Sequence, residues 1–427
     1  MVTLTSAENA LKTVYLGVVS NQLNINANPL LGKINQTTKD VWGKEVRKLA
    51  PFGINGGIGA GTEDGNLPMA AGNNYVQFIS ELKNLYGKIE ISDKALRASS
   101  NNAGAFVNLL NSEMEGLIKA SSFNFGRMLY GDGSGKLATV VSYDSTSGYV
   151  TVDSVKNLIE GMVIDTYNTT GKIAGVSSLR ITYVDRVNKK FLTNLAVGGS
   201  NVFTANDTIY VQNSKDLEIN GLGKIFSNST TLYGLNRANY PWLSPFTKTN
   251  AGEISDELIQ SAVDFLEENS GSTIDFITCS AAVKRAYQQY LGAFRRNIDV
   301  TELAGGYKAI SFNGIPVVSD RFIEDDTMYL LNTKEFSLHQ LCDWKWLEGE
   351  DGRILKQKNG YPTYTATLVK YADLICDKPN GQAKITGISS NISNPLTSIN
   401  TNLATIKSTT DTLSSNYATV NASSLTV

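Results

Sequence analysis

Three places in the sequence hold residue types from which chemistry is commonly built. The first is YGDGSGKLA, residues 130–138, which has the glycines and lysine of a phosphate-binding loop. A Walker loop requires G-x-x-x-x-G-K-[ST], because the first Gly makes the turn, backbone N–H groups cradle phosphate and the hydroxyl residue holds Mg²⁺. Here Tyr130 stands where the first Gly is needed, and Gly135-Lys136 is followed by Leu137, which cannot ligate a metal. The second is GGIGAG, residues 56–61, where the dinucleotide fingerprint fails because Thr62 occupies its third glycine position. The third is His339, with Cys342 three residues on; it is the one histidine in the chain. A Cys/His nucleophile pair would have to use His339 with Cys342 or a more distant cysteine, and a zinc site lacks ligands. His339 therefore reads as an ordinary strand residue. Carboxylates and 19 tyrosines leave an unfamiliar acid–base enzyme as an alternative, but no pair sits at a diagnostic spacing. EDDT, residues 324–327, reads as a solvated turn. No catalytic, cofactor-binding or metal-ligating residue is assigned, and no enzymatic activity is expected.

Composition narrows the remaining classes. The 427 residues suffice for two or three domains with a buried core. Lys and Arg number 38 against 40 Asp and Glu, a net charge of −2, so no global field draws the chain to nucleic acid or anionic lipid. The basic pairs Lys44/Arg47 and Arg295/Arg296 permit only local, salt-sensitive phosphate contact. Cys279, Cys342 and Cys376 are few, odd in number and far apart, which points to a reducing compartment and to small buried hydrophobes. No run of 18 apolar residues and no signal-peptide pattern is present, so no membrane role is expected.

The elements that would position any site follow from periodicity. ENALKTVYLGVVSNQL and NPLLGKI read as an arm whose anchors include Leu30, Leu31 and Ile34, too polar between them to make its own core. Residues 43–92 read as an extended hairpin with a Gly-, Asn- and Pro-containing tip, too long to be stable alone, its glycines serving mobility. Ala103, Phe106, Val107, Leu110, Met114, Leu117, Ile118, Phe125, Met128 and Leu129 recur three and four apart, predicting a helix of about 40 Å. YGDGSGK falls where that helix stops, with Gly131 and Gly133 releasing the chain. From about Leu137 to Asn220, short alternating runs predict a small all-β barrel or sandwich inserted between helix-rich flanks. Beyond it, Ser255 is placed to cap a helix that ends before Gly271, TIDFITC reads as a strand, and a second helix starts at Ser280. Asn313-Gly314 predicts a tight hairpin turn.

Several of these segments together resemble the major capsid proteins of tailed bacteriophages, with the Hong Kong 97-type fold. The matching stretches are NPLLGKI (28–34), GKIEISDKALRAS (87–99), FNFGRMLYGDGSGKLA (123–138), GLGKIFSNSTTLYGLNRANYPWL (221–243) and FNGIPVVSDRFIEDDTMYLLNTKEF (312–336), in order over residues 1 to about 388. The resemblance implies an α+β chain with an N-terminal arm at 1–42, an extended E-loop at 43–92 and a peripheral domain with its spine helix at 93–136. It further implies an all-β insertion at 137–220, a return to the peripheral domain at 221–254, an axial domain at 255–363 and peripheral-domain strands at 364–388. Leu30, Leu31, Gly57, Glu63, Leu67, Tyr75 and Phe78 are the expected inter-subunit contacts. The implied function is a shell protein that self-assembles into hexamers and pentamers of an icosahedral head in the host bacterial cytoplasm and resides in the virion. The implied partners are portal, scaffolding and decoration proteins, with non-specific contact to packaged double-stranded DNA. Because the arm pattern begins almost at Met1, a separate scaffolding protein is expected. The family's Lys-to-Asn cross-link is not assigned, since no acidic partner is identifiable. A bacterial encapsulin-type nanocompartment shell of the same fold is the alternative.

Residues 389–427 form a polar tail. Against a Ser-, Thr- and Asn-rich background, Leu396, Ile399, Leu403, Ile406, Leu413, Tyr417 and Val420, with Thr410 completing the spacing, make a heptad seam. Its charged residues are Lys407 and Asp411 alone, and many of its residues are poor helix formers, so an isolated helix there would be unstable. The expectation is a coiled coil joining tails or a strap over a surface, with a disordered polar tail as the alternative.

Overall fold

The computed structural model describes residues 28–94, 103–199, 202–294, 300–303, 307–349, 352, 354–391 and 403–416. The chain is organised around one long strand, Thr363–Cys376, which alternates little because it is covered on both sides. Phe336–Trp346 pairs antiparallel with its C-terminal part, and Lys83–Ser92 pairs antiparallel along residues 363–372. Lys83–Ser92 does alternate: Leu85, Gly87, Ile89 and Ile91 face inward while Tyr86, Lys88 and Glu90 face out. That period of two is what a sheet with one covered face dictates.

The covering element is the spine helix, Ala103–Tyr130, whose 28 residues rise about 1.5 Å each to roughly 40 Å. Met114, Ile118, Phe125, Met128 and Leu129 share one core with the strand residues Leu85, Ile89 and Ile91. The side chains of Ala103, Phe106, Val107 and Leu110 lie outside the described residues. Gly87 lets the helix come close, since a Cβ there would stand 2.9 Å from Leu117 Cδ1. The helix ends at YGDGSGK, and the left-handed positions are Gly133 (φ +83°) and Gly135 (φ +80°). The expected Gly131 keeps an ordinary φ, and its N–H closes a turn onto Met128 O instead. Gly221 then packs against the last helical carbonyls so tightly that a Cβ would lie 2.3 Å from Met128 O. Beneath this junction Arg127 and Glu218 form a buried ion pair at 2.5 Å.

Residues 136–199 and 202–211 form a closed barrel. Lys136–Tyr143, Val150–Val152, Lys190–Thr193, Leu179–Asp185, Val163–Asn168 and Thr208–Val211 pair in that cyclic order, the last returning to the first. All the pairings are antiparallel, and ladder irregularities at Val140/Ser142, Ile181/Tyr183 and Ile209/Tyr210 supply the bends that closure needs. Closure removes free edges, and Val150, Leu158, Ile164, Val176, Phe191 and Ile209 fill the interior. The rest of the chain seats on the barrel through Phe123 of the spine helix, which joins the barrel's core with Phe322 edge-on to it at 5.2 Å, and through Lys156, 2.6 Å from Asp325 and 2.7 Å from Ile323 O.

A second sheet runs Phe246–Lys248, Ala383–Ile385, Met328–Leu331, Phe276–Cys279, Ile315–Ser319, Tyr307–Phe312, Val300–Leu303. Helices Asp256–Ser270 and Ala281–Phe294 pack on it through Ile259, Ala262, Leu266, Val283, Ala286 and Tyr287. Ser255 Oγ accepts the Leu258 N–H at 3.1 Å, and Gly271 takes the left-handed conformation that ends the first of these helices. Asn313 and Gly314 both have positive φ, as a type I′ turn requires. Sheet pairing redraws two expected boundaries. Phe336–Trp346 was placed with 255–363 but bonds to Thr363–Cys376, and Ala383–Ile385 was placed with 364–388 but joins the second sheet. The physical reason is partner choice, which is non-local and leaves no local sequence mark.

One carboxylate ties three distant segments. Asp373, fully buried in the long strand, accepts from Ser80 Oγ at 2.5 Å, from Asn220 N at 2.8 Å and from Asn220 Nδ2 at 2.8 Å. Burial raises its pKa, and the hydrogen bonds from Ser80 and Asn220 oppose that shift. A carboxyl whose folded pKa lies above its unfolded one contributes stability that is full in acid and is lost as pH rises through the folded value. Asp373→Asn should therefore flatten part of the pH dependence of unfolding between acidic and neutral pH, seen as a difference between the two denaturant-midpoint profiles. For the buried Arg127–Glu218 ion pair, Glu218→Ala should lower the unfolding free energy by about 3–5 kcal/mol, because it strands Arg127. The double variant Arg127→Met/Glu218→Leu should lose much less in the same denaturation measurement.

Candidate functional site

The hairpin that leaves the body is built from Glu45–Phe52 and Asn74–Glu81, registered from Glu45 opposite Glu81 to Phe52 opposite Asn74. It is shorter than 43–92, because the chain breaks at Leu82 and Lys83–Ser92 joins the central sheet. Its two faces differ. Val46, Ala50, Val76 and Phe78 point inward and belong to the main core. Phe78 and Phe52 each stack on Trp242 at 5.9 Å, Phe52 meets Tyr240 edge-on, and Phe78 tilts against Tyr233. Ile79 N donates to Tyr233 O at 3.0 Å, and the Tyr233 hydroxyl takes the Cys376 N–H at 3.0 Å. The opposite face exposes Leu49, Tyr75 and Ile79, with Trp42 70% exposed beside the base.

The tip, residues 53–73, has no ladder. Its glycines serve close approach more than mobility: Gly56 and Gly57 lie against Ala71, and a Cβ on Gly59 would meet Pro68 Cγ at 3.0 Å. Asn55 Oδ1 accepts the Gly57 N–H at 2.9 Å and fixes the turn of the outgoing leg. The two legs can lie together, yet nothing covers their apolar side chains. Ile54 is 77%, Ile58 76%, Leu67 90% and Met69 89% exposed.

The expected contact residues divide accordingly. Glu63, Leu67 and Tyr75 are exposed and Gly57 is half-buried in the tip. Leu30, Leu31 and Phe78 are not available to a neighbour, which corrects the expectation for these three. Phe78 is held by the aromatic group just described. Leu30 and Leu31 are sealed into the main core by Asn28, whose Oδ1 accepts their two N–H groups and whose Nδ2 donates to Gly126 O of the spine helix. Downstream, Asn35–Thr37 adds a parallel strand to Phe336–Trp346. The described part of the arm thus shares its own subunit's core, as does the hairpin's inner face; residues 1–27 lie outside the described residues. Sequence reading missed Trp42, Leu49, Ile54, Ile58 and Met69, whose signal was apolar side chains in a Gly- and Asn-rich stretch with no periodicity to bury them. In the tail, residues 403–416 form a helix exposed throughout. Leu403, Ile406 and Leu413 lie on it; Leu396, Ile399, Tyr417 and Val420 lie outside the described residues.

His339 sits buried in its strand with Nδ1 2.9 Å from Lys39 O, and burial lowers its pKa, favouring the neutral ring. Cys342 does not approach it as a nucleophile partner would; backbone register places His339 opposite Asp373 and Cys342 opposite Tyr371. Cys279 and Cys376 are buried, and burial pushes the Cys279 thiol up to about 12. Among the described residues no group of three or more His, Cys, Asp and Glu is placed to hold a metal, and no helix is long and apolar enough to cross a membrane.

No protein-family model matches the chain, and no curated protein matches it by sequence. Solved structures do match. The capsid asymmetric unit of cyanophage A-1(L) is similar at 13% identity over 88% of this chain and 93% of that one, with a TM-score of 0.50. The holo-SrpI encapsulin complex from Synechococcus elongatus is similar at 9% identity over 86% and 90% of the two chains, TM-score 0.43. The satellite phage P4 procapsid that includes the size determination protein is similar at 10% identity over 88% and 98%, TM-score 0.40. At such identities the likeness speaks to backbone architecture, and that architecture is the Hong Kong 97-type fold of phage major capsid proteins.

Proposed function

We propose that this protein is the major capsid protein of a tailed double-stranded DNA bacteriophage, whose copies form the hexamers and pentamers of an icosahedral head. The observation that carries the reading is the hairpin tip. Four large apolar side chains there, Ile54, Ile58, Leu67 and Met69, are each more than three-quarters exposed on a stretch whose inner neighbours are fully packed. Burying one such side chain is worth about 1.5–3 kcal/mol. A neighbouring subunit supplies the cover, and repetition of a modest contact around every copy makes a closed shell durable.

The rest of the molecule suits that role. The peripheral region is the spine helix with the central sheet, the axial region is the second sheet with its two helices, and the barrel is an added surface module. DNA contact is weak and non-specific, in keeping with the near-neutral charge. Portal and scaffolding proteins are its partners in building such a head, a decoration protein is an optional addition, and assembly takes place in the host cytoplasm.

Electron microscopy of the purified full-length protein tests the proposal: closed shells or open assemblies of hexamers and pentamers are expected, since scaffolding sets how a shell closes, and a monodisperse monomer at every protein concentration would overturn it. Native particles holding protein cargo and no DNA would replace the phage assignment with a nanocompartment shell. The tip is tested separately. Leu67→Asp with Met69→Asp should leave subunit unfolding within about 0.5 kcal/mol of the parent, since both sites are exposed. The same pair should abolish sedimenting particles; wild-type particle yield would rule out the tip as a contact.

A further inference from the structure

The tail helix, residues 403–416, poses a stability problem. Each of its residues is exposed, and Leu403, Ile406 and Leu413 remain 62%, 62% and 63% exposed. A 14-residue helix rich in Ser and Thr is marginal by itself, so it needs a partner along its apolar face.

The shape of that face says what the partner is. Apolar residues occur at two positions in seven, with Thr410 completing the 3-4 spacing, which is the narrow seam of a coiled coil and not the broad stripe of a helix lying on a globular surface. The steps of three and four assign Leu396, Leu403, Thr410 and Tyr417 to the a positions and Ile399, Ile406, Leu413 and Val420 to the d positions. In the first two heptads the sequence has Leu at a and Ile at d, the combination that favours three or four parallel strands over two. Thr410 does not spoil the seam. Its Oγ1 donates to Ile406 O at 2.9 Å within the helix, so packing it leaves no donor unsatisfied. Thr409 and Thr412 make the equivalent bonds to Thr405 O and Ser408 O. Lys407 falls at an e position and Asp411 at b, while the g positions hold Asn402, Thr409 and Asn416, so no like-charge e–g pair forms between copies.

We propose that three copies of this C-terminal segment associate in parallel as a coiled coil that ties neighbouring subunits together. The choice of three over four rests on the shell reading, because an icosahedral lattice offers three-fold meeting points and no four-fold ones, and copies related by such an axis run parallel.

Leu403→Cys in the full-length protein, treated with a tris-maleimide reagent and run on a denaturing gel, tests this. In a parallel bundle the three thiols share one layer. Antiparallel pairing about the middle of the seam would hold them roughly 15 Å apart at 1.5 Å per residue. Covalent trimers are expected as the dominant cross-linked species, absent from the unsubstituted protein, which controls for the partly exposed Cys342. Monomers only, or dimers without trimers, would overturn the proposal. Adding Ile406→Asp and Leu413→Asp should abolish the trimer while leaving the body folded by circular dichroism; persistence of the trimer would also overturn it. Shells seen by microscopy without tail trimers sink the coiled coil alone. Trimers from protein that never forms shells support the coil and sink the shell reading.

Discussion

A buried carboxylate with three donors around it holds the architecture in register. Asp373 lies on the central strand, Ser80 at the root of the hairpin and Asn220 where the chain returns from the barrel. A carboxylate without partners in that position would cost several kcal/mol, so each donor is needed where it is. One residue thus ties the hairpin root and the barrel junction to the central strand. Tyr233 reinforces the same joint, with its hydroxyl on the backbone of the long strand and its ring on Phe78.

That joint explains the asymmetry of the hairpin. The face toward Trp242 and Tyr233 is consolidated within the subunit, so the projection is pre-formed and little ordering entropy is left to lose on association. The outer face and the tip carry the side chains that remain uncovered. The body is consolidated on its own, while the outer hairpin face, the tip and the tail helix keep large apolar side chains uncovered.

The barrel and the tail are additions of opposite character. The barrel closes on itself around a core to which the rest of the chain adds Phe123 and Phe322, and Lys156 ties it to Asp325. The described tail helix, residues 403–416, is exposed throughout, and the tail's apolar residues are spaced for another helix.

Much of the local structure was legible in the sequence, because its causes are local. The spine helix declared itself by period, Ser255 and Gly271 by their capping roles, Asn313-Gly314 by the turn they permit, and the failed Walker pattern by its missing residues. The barrel was legible as alternating runs between turns, though not the order in which its strands close. Tertiary structure alone decided which strands pair, which moved Phe336–Trp346 and Ala383–Ile385 across the expected boundaries. It also decided which apolar residues are already covered: Leu30, Leu31 and Phe78 looked as available as Leu67. Their fate depends on Asn28, Gly126 and Trp242, residues far apart in the chain whose meeting no local pattern encodes.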